Sequence, residues 1–362
     1  MIKNCYIHIP FCKSICSYCD FCKVFYFEKQ LEKYLNSLER EIKSIYNNEK
    51  QETIYIGGGT PSSLNIEELE RLFKILEIIK KDSNTEYTIE CNFSTITKEK
   101  LLLFKKYGIN RLSFGIESIS SRNLEFLERE ESKEKIISTV SLARSLGFSN
   151  INLDLMYAIP GETLKELDED LDFLVSLNPE HISTYSLIIE KNTKLYLNKT
   201  EEIDEDLDFL MYNRICNRLK DKYLHYEISN FSKKGYESKH NLCYWKNKEY
   251  YGFGVSAASY RDDIKYTNTK SITKYNNYEY KYLEEKVSKR DKMSYEMILG
   301  LRLLEGVSKD DFYKKYQIKI KDYFDIESLL ENNLLNENST NYFISEDKLY
   351  ISNEILLNFI KE

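Results

Sequence analysis

Short apolar runs alternate with amphipathic helical patterns over the first 230 residues of the chain. The runs are rich in β-branched and aromatic residues, which is typical of strands. Six strands are predicted, at 5–9, 53–56, 86–90, 111–115, 151–156 and 181–187. Between them, apolar residues recur at steps of three and four, as at Leu31, Leu35, Leu38 and Ile42, which is the spacing of one helix face. Strands that alternate with helices form parallel sheets.

Six strand–helix units are too few to close an eight-stranded barrel. The pattern therefore predicts an α/β fold built as a partial (β/α)6 TIM-like barrel, with its chemistry at the carboxyl ends of the strands. The periodicity weakens after residue 230, and an α-rich tail ends in two strand-like segments at 342–344 and 348–351, which resembles a winged-helix module. We predict a core over 1–230, a connecting region over 231–285 and a C-terminal module over 286–362.

Composition limits the partners that this chain can have. Of its 362 residues, 42% are hydrophobic and 31% are charged, so it can bury a sizeable core and remain in solution. The formal net charge of −7 disfavours nucleic-acid binding, which needs excess basic charge, so the tail is expected to pack on the core. No run of about 18 apolar residues appears, so we expect no stable membrane insertion. The first residues lack a signal-peptide pattern, and a cytoplasmic location is expected.

Eight cysteines need an explanation other than disulfides, because the cytosol keeps thiols reduced. Four of them, Cys12, Cys16, Cys19 and Cys22, fall within eleven residues. Clustered thiols in a reducing compartment usually bind a metal. The other four are scattered, as small buried hydrophobic residues often are.

The first three clustered cysteines have the spacing C-x3-C-x2-C and begin directly after the first predicted strand. Three thiolates can hold three irons of a [4Fe–4S] cluster and leave the fourth iron open for a ligand. Such an iron can chelate the amino and carboxylate groups of S-adenosylmethionine. A structural zinc site is the alternative. Cys19 and Cys22 do form a C-x2-C pair, but no second Cys or His pair follows, as such sites usually require.

Residues at the ends of later strands could complete a cofactor pocket. Gly57-Gly-Gly-Thr-Pro61 follows the second predicted strand, and glycines let the backbone approach a ligand closely. A phosphate loop would also need Lys-Ser/Thr, which is missing, and a plain glycine turn is the other alternative. Glu90, Glu117 and Asp154 lie at or near strand ends, and we place Arg129 on the intervening helix. Carboxylates can accept hydrogen bonds from ribose hydroxyls, and arginine can pair with a carboxylate.

The cysteine spacing and its lead-in, Tyr-Ile-His-Ile-Pro-Phe-Cys at 6–12, resemble the radical-SAM heme chaperone (HemW) family and its relatives, the oxygen-independent coproporphyrinogen III dehydrogenases. The resemblance extends from Tyr6 over essentially the whole chain. It implies a radical-SAM core, a HemN/HemW-type C-terminal domain and a [4Fe–4S] cluster on Cys12, Cys16 and Cys19. The S-adenosylmethionine contacts that it implies are Tyr6, Tyr18, Gly58, Gly59, Thr60, Glu90, Glu117, Arg129 and Asp154. Glu117 replaces the usual glutamine and Phe93 the usual proline.

Two features favour the chaperones over the dehydrogenases. Phe21 stands where the dehydrogenases normally carry a fourth cysteine, and Cys22 comes one position too late. The segment from His240 through Tyr244 to Trp245 matches the HNxxYW motif associated with heme in the chaperones. A neutral imidazole can ligate heme iron, and aromatic rings can pack on a porphyrin, although a lone histidine is more often structural.

The resemblance implies a chaperone that binds heme and transfers it to an unidentified acceptor protein, with accessory roles for the cluster and S-adenosylmethionine. A homodimer is possible on this basis. Coproporphyrinogen III dehydrogenase and another radical-SAM enzyme remain alternatives, so whether the protein is an enzyme stays open. One departure bears on heme binding: Ser256 and Ala258 replace the glycine and histidine of a G-x-G-x-G-A-H segment. If that histidine contributes to heme binding in relatives, this chain has lost the contact.

Overall fold

The computed structural model of the protein describes residues 1–360. The strands are β1 (Asn4–Ile9), β2 (Phe11–Cys12), β3 (Val24–Phe25), β4 (Thr53–Gly58), β5 (Glu86–Cys91), β6 (Arg111–Glu117), β7 (Ile151–Tyr157), β8 (His181–Ser186), β9 (Leu224–Glu227), β10 (Asn230–Ser232), β11 (Tyr251–Phe253), β12 (Ala258–Arg261), β13 (Ile264–Asn268), β14 (Lys281–Lys286), β15 (Val307–Ser308), β16 (Asn336–Glu337) and β17 (Asn341–Phe343).

Helices connect these strands. The α-helices are α1 (Glu28–Ile45), α2 (Ile66–Leu76), α3 (Lys98–Lys106), α4 (Ser121–Phe126), α5 (Lys133–Ser145), α6 (Leu164–Ser176), α7 (Lys194–Leu197), α8 (Glu205–Leu219), α9 (Lys239–Trp245), α10 (Ile272–Asn276), α11 (Lys289–Gly300), α12 (Lys309–Tyr316), α13 (Ile320–Tyr323), α14 (Ile326–Glu331) and α15 (Ser352–Leu356). Short 3-10 helices cover Pro61–Ser63, Phe93–Thr95, Glu346–Lys348 and Leu357–Phe359. None of the helices within 1–360 is long and apolar enough to cross a bilayer.

The main sheet has nine strands in the order β11-β1-β4-β5-β6-β7-β8-β10-β9. The first seven strands in this order run parallel to one another. Strand β10 pairs antiparallel with β8 on one side and with β9 on the other. All six predicted strands are present, and within 1–360 no pairing joins the two edges, which agrees with the predicted partial barrel. The sequence pattern missed β11, the edge strand beside β1, and the β9–β10 hairpin at the opposite edge. These strands have three or four residues each, too few for a clear periodic signal.

The apolar pattern explains the packing of this sheet. Ile56, Ile89, Leu112 and Leu153 are fully buried in the central strands, as expected where helices cover a parallel sheet. Helix α1 buries the predicted face that includes Leu31, Leu35, Leu38 and Ile42. Helices α2 and α6 begin with capping boxes, which fix where each crossover helix starts.

The region after β10 returns to the barrel. It contributes helix α9 and strand β11, and then forms a second, antiparallel sheet in the order β12-β13-β14. Strand β11 pairs with β1, with Tyr251 opposite Cys5 and Phe253 opposite Ile7. The predicted connecting region therefore contributes one strand to the main sheet, beside the strand that leads into the cysteines.

The C-terminal module contains helices α11 to α15 and a small sheet in the order β15-β17-β16. The predicted strand at 342–344 corresponds to β17, but the one predicted at 348–351 is wrong, because a 3-10 helix and a turn occupy that region. The hairpin partner of β17 is β16. The Asn338 side chain sets their turn by accepting hydrogen bonds from the backbone N–H groups of Thr340 and Asn341. Leu349 and Ile351 are apolar at alternate positions, which is the pattern of a strand, although they do not form one.

Candidate functional site

The cysteine loop lies at the carboxyl end of the parallel sheet. It leaves β1 through β2 and returns through β3, whose parallel pairing places Cys12 opposite Phe25. Cys12 is buried, while Cys16 and Cys19 are half-buried, and all three line one cavity of about 430 Å³. Cys22 faces a different cavity. The structure therefore brings together the three cysteines of the C-x3-C-x2-C spacing and separates the fourth from them.

Most of the predicted cofactor contacts line the same cavity. They are Tyr18, Gly58, Gly59, Thr60, Glu90, Glu117, Arg129 and Asp154. Tyr6 is an exception: it lines the second cavity, and its hydroxyl lies 3.0 Å from His8 Nδ1. In this arrangement Tyr6 positions a neighbouring ring and does not line the cavity of the three cysteines.

The glycine segment after β4 passes very close to the cysteine loop. A Cβ atom at Gly59 would lie 2.8 Å from Cys12 Sγ, and Gly58 has a φ of +118°, a conformation that disfavours residues with a side chain. The Thr60 hydroxyl donates a hydrogen bond to Cys12 Sγ at 3.6 Å. Only glycine lets this backbone form the wall beside the first thiol, so the segment is more than a plain turn.

Three carboxylates converge on the cavity from β5, β6 and β7. Glu90 accepts hydrogen bonds from the Tyr55 hydroxyl and the Gly58 N–H, both at 2.9 Å. Burial raises the pKa of Glu90 to about 7, although these two hydrogen bonds lower it. Burial likewise raises the pKa of Glu117 to about 7, although the nearby Arg129 lowers it, and burial also raises the pKa of Asp154. A cationic ligand would stabilise these groups in their ionised forms.

Arg129 lies in the loop after α4, so its predicted place on a helix is wrong. Its terminal NH2 nitrogen donates to the Gly115 carbonyl at 2.6 Å. Its Nε is buried and has no hydrogen-bond partner among residues 1–360. The missing Cβ of Gly115 makes room for the guanidinium, because a Cβ there would lie 3.3 Å from the Arg129 NH2 nitrogen. A buried guanidinium with a free N–H fits a carboxylate ligand.

The donor set fits an iron–sulfur cluster with a cationic amino-acid cofactor beside it. The three cysteines of the loop share one cavity with the carboxyl groups of Glu90, Glu117 and Asp154 and with the guanidinium of Arg129. Burial raises the pKa of the Cys12 thiol to about 11, so metal binding at this position would release a proton. A sulfonium and an ammonium group suit the carboxylates, and a carboxylate suits Arg129.

His240 of the HNxxYW segment contacts the opposite, amino-terminal end of the strands, whereas Asn241 lines the cavity of the three cysteines. The His240 backbone N–H donates to Glu86 at the start of β5, and its ring Nδ1 lies 2.8 Å from the Thr53 hydroxyl at the start of β4. Its Nε2 lies 2.8 Å from the Tyr244 hydroxyl, and the ring stacks on Tyr55. Burial lowers the pKa of His240 to about 3, so the ring is neutral.

The three heme-related residues of this segment do not share one surface. His240 is 2% exposed and both of its ring nitrogens have partners, so neither is available to iron in this conformation. Tyr244 lines the second cavity, whereas Trp245 lies beneath the Arg302 guanidinium at 5.7 Å. Their roles in heme binding therefore stay predictions. The contacts show that His240 joins α9 to the starts of β4 and β5.

Sequence reasoning missed several polar residues inside the barrel. Tyr55, Arg111, Ser113, Asn152 and Tyr185 line the cavity beside the predicted contacts. Polar residues at every second position of otherwise apolar strands were the available signal, because alternate side chains point to the same face of a strand.

Comparison with known proteins agrees with this geometry. The Radical SAM superfamily matches residues 6–174, and the HemN C-terminal domain matches residues 287–346. The heme chaperone HemW of Bacillus subtilis (strain 168) is 36% identical, with 100% of each chain covered. That of Lactococcus lactis subsp. lactis (strain IL1403) is 34% identical, covering 99% of this chain and 97% of its own. The solved structure of coproporphyrinogen III oxidase (HemN) from Escherichia coli superimposes with a TM-score of 0.87 at 22% identity, covering 99% of this chain and 90% of that one.

The fold and the site define a radical-SAM protein, a class that implies a [4Fe–4S] cluster and S-adenosylmethionine. On its similarity over the full length, the chain belongs to the heme chaperone HemW family. The likeness to coproporphyrinogen III oxidase, at 22% identity, shows the shared fold alone.

Proposed function

We propose that this protein is a heme chaperone, which binds heme and transfers it to an acceptor protein. The observation that carries the proposal is its 36% identity, over the whole of both chains, to a protein named a heme chaperone. Phe21 adds support, because this residue stands where the dehydrogenase pattern has a fourth cysteine, and it is 64% exposed at the edge of the cavity.

In this proposal Cys12, Cys16 and Cys19 hold the cluster and leave one iron open. The cavity beside them holds S-adenosylmethionine, which when bound to such a cluster supplies one-electron cleavage chemistry. Arg129, with its unpartnered Nε, binds the carboxylate of the methionine moiety. Glu90 on β5 lies against the glycine segment and accepts hydrogen bonds from the ammonium group, and Asp154 accepts from the ribose hydroxyls.

The charged groups of the cavity suit a cofactor that carries charges of both signs. The wall presents the carboxyl groups of Glu90, Glu117 and Asp154 together with the cations of Arg111 and Arg129. The carboxyl groups suit the sulfonium and ammonium groups of S-adenosylmethionine, and a guanidinium suits its carboxylate. The volume of about 430 Å³ lies toward the lower end of the range of small-molecule sites, roughly 300–1,000 Å³.

A hemin titration of the anaerobically reconstituted protein tests the proposed function. We expect saturable binding, followed by the Soret absorbance, and no conversion of coproporphyrinogen III when S-adenosylmethionine and a reductant are supplied. The same preparation must contain an intact cluster, so that a lack of turnover is informative. Turnover of coproporphyrinogen without saturable heme binding would contradict the chaperone and favour the dehydrogenase.

We expect S-adenosylmethionine to bind more weakly as the pH falls below about 7. The pKa of Glu90 is about 7 in the free cavity, and a bound cation lowers it. Above pH 7 Glu90 is ionised and the affinity for S-adenosylmethionine is highest. Below pH 7, protonation of this one group lowers the affinity by up to roughly tenfold per pH unit. Calorimetric titrations of the reconstituted protein between pH 6 and 8.5 measure this slope.

Glu90→Gln is the matched variant for this pH dependence. It should bind S-adenosylmethionine more weakly at pH 8 and show a flatter pH profile, because the amide at position 90 does not titrate. A variant with unchanged affinity and an unchanged slope would show that Glu90 does not contact the cofactor.

A further inference from the structure

A second cavity, of about 690 Å³, shares the cysteine loop with the first as a common wall. Ile15, Asp20, Phe21 and Lys23 line both cavities, while Cys22 lines only the second. The second cavity is therefore separate from the cluster site but adjoins the loop that carries the three cluster cysteines. Its volume lies within the range of roughly 300–1,000 Å³ that is usual for small-molecule sites.

Aromatic side chains make up much of the wall of this second cavity. Tyr6, Tyr244 and Tyr250 line it, and the rings of Tyr244 and Tyr250 meet edge to face at 4.7 Å. Phe21, on the shared loop, presents a largely exposed ring. Flat apolar faces of this kind suit a large planar ring system. Tyr244 is a residue of the HNxxYW segment, so this segment contributes to the cavity wall, although His240 does not line the cavity.

The charged residues at this cavity are Lys23, Lys270 and Asp20, so cations outnumber the single carboxylate. Lys270 is exposed at its wall, and the Lys23 ammonium donates a hydrogen bond to the Cys19 carbonyl. The Cys22 thiol lies near both, and its Sγ donates to the Lys270 carbonyl at 3.6 Å. Burial raises the pKa of the Cys22 thiol, while a hydrogen bond with Ser256 and the charges of Lys270 and Lys23 lower it. Such cations would pair with carboxylate groups of a ligand.

The departures from the glycine-rich pattern occur at this wall. Ser256 has a φ of +61° and hydrogen-bonds with Cys22, and Ala258 is exposed where the pattern has histidine. His8 also lines the cavity, but its Nδ1 lies 3.0 Å from the Tyr6 hydroxyl and its Nε2 donates to the Cys22 carbonyl. Of the side chains at this wall, the Cys22 thiol becomes the strongest iron ligand once it is deprotonated, and its one hydrogen bond to a carbonyl, at 3.6 Å, is long.

We propose that the second cavity is the heme site, with the Cys22 thiolate as an iron ligand and Lys23 and Lys270 paired with the propionates. This inference rests on the proposed function and names its binding site. When the Fe–S bond forms, the Cys22 thiol releases its proton to solvent, and neither iron nor sulfur changes oxidation state. Because the heme would contact the cysteine loop, heme binding would act directly on the loop that holds the cluster.

Hemin titrations of the reconstituted wild type and two variants test this assignment. Cys22→Ala should bind hemin roughly tenfold more weakly or worse, and the Soret and electron paramagnetic resonance signals of thiolate-ligated ferric heme should disappear. Lys270→Glu should weaken binding several-fold while it preserves those signals. Cys216→Ala is the matched control, because this half-buried thiol lies on α8, outside the cavity, and should bind hemin as the wild type does.

The outcomes distinguish a failure of the heme-site assignment from a failure of the proposed chaperone function. Saturable binding with the same affinity and spectra in wild type and Cys22→Ala would overturn the assignment and leave the chaperone proposal standing. An absence of binding in the wild type would overturn both. Loss of the iron–sulfur absorbance in Cys22→Ala would identify Cys22 as part of the cluster site and also overturn the assignment. Cys22→Ser, which keeps a side-chain hydroxyl near Ser256, serves the same comparison if the alanine variant fails to fold.

Discussion

A Cys16→Ala variant is expected to lose the cluster almost completely. Cys16 supplies one of the three thiols that the cysteine loop presents to the first cavity, and the two that remain cannot hold a cubane that already has an open iron. The side chain of Arg129, which hydrogen-bonds with Cys16, offers no replacement ligand. After anaerobic reconstitution, the broad iron–sulfur absorbance and the bound iron should fall to background, and S-adenosylmethionine binding should fall with them.

Cys22→Ala is the matched control for this experiment. It removes a thiol from the same loop, but one that faces the second cavity, so cluster content should equal that of the wild type. Cys243→Ala, at a buried thiol on α9 that lines neither cavity, provides a second control. An unchanged spectrum in Cys16→Ala would show that the C-x3-C-x2-C spacing does not define the cluster site.

A Glu41→Ala variant is expected to be severely destabilised. Glu41 on α1 is 0% exposed and accepts hydrogen bonds from the Gly254 N–H at 2.9 Å, Asn268 Nδ2 at 2.6 Å and the Tyr275 hydroxyl. Removing the carboxylate leaves these buried donors without a partner, which costs about 3–5 kcal/mol of unfolding free energy. Urea unfolding followed by circular dichroism measures this loss in the cofactor-free protein.

The same carboxylate predicts how stability depends on pH. Burial raises the pKa of Glu41 to about 7, although its three hydrogen bonds lower it. The folded state therefore binds a proton that the unfolded chain has already released, so this contribution is present at low pH and is lost as the pH rises from about 4.5 through 7. It amounts to about 3 kcal/mol.

Glu41→Gln separates this effect from the other buried carboxylates. The amide keeps the shape of the protonated acid but does not titrate, so its unfolding free energy should decline less between pH 5 and pH 8 than that of the wild type. Glu90 and Glu117 titrate in both proteins, and the difference between the two slopes reports Glu41 alone. Equal slopes would show that Glu41 titrates normally.

Local patterns in the sequence were sufficient to predict the elements whose residues interact with near neighbours in the chain. Apolar periodicity was sufficient for all six central strands and for the buried face of α1, because a strand or helix face is decided by residues that are near one another in the chain. The spacing of Cys12, Cys16 and Cys19 likewise predicted that they would share a site, since one short loop carries all three.

Tertiary structure decided what depends on contacts between distant parts of the chain. His240 is buried because its ring meets Thr53, 187 positions away, and Tyr55. The motif alone could not show this, since it matches equally well whether its histidine is exposed or enclosed. Cys22 faces Lys270, 248 positions away, and not the three cysteines beside it. Local spacing sets which residues can meet within one loop, but the folded sheet sets which cavity each side chain enters.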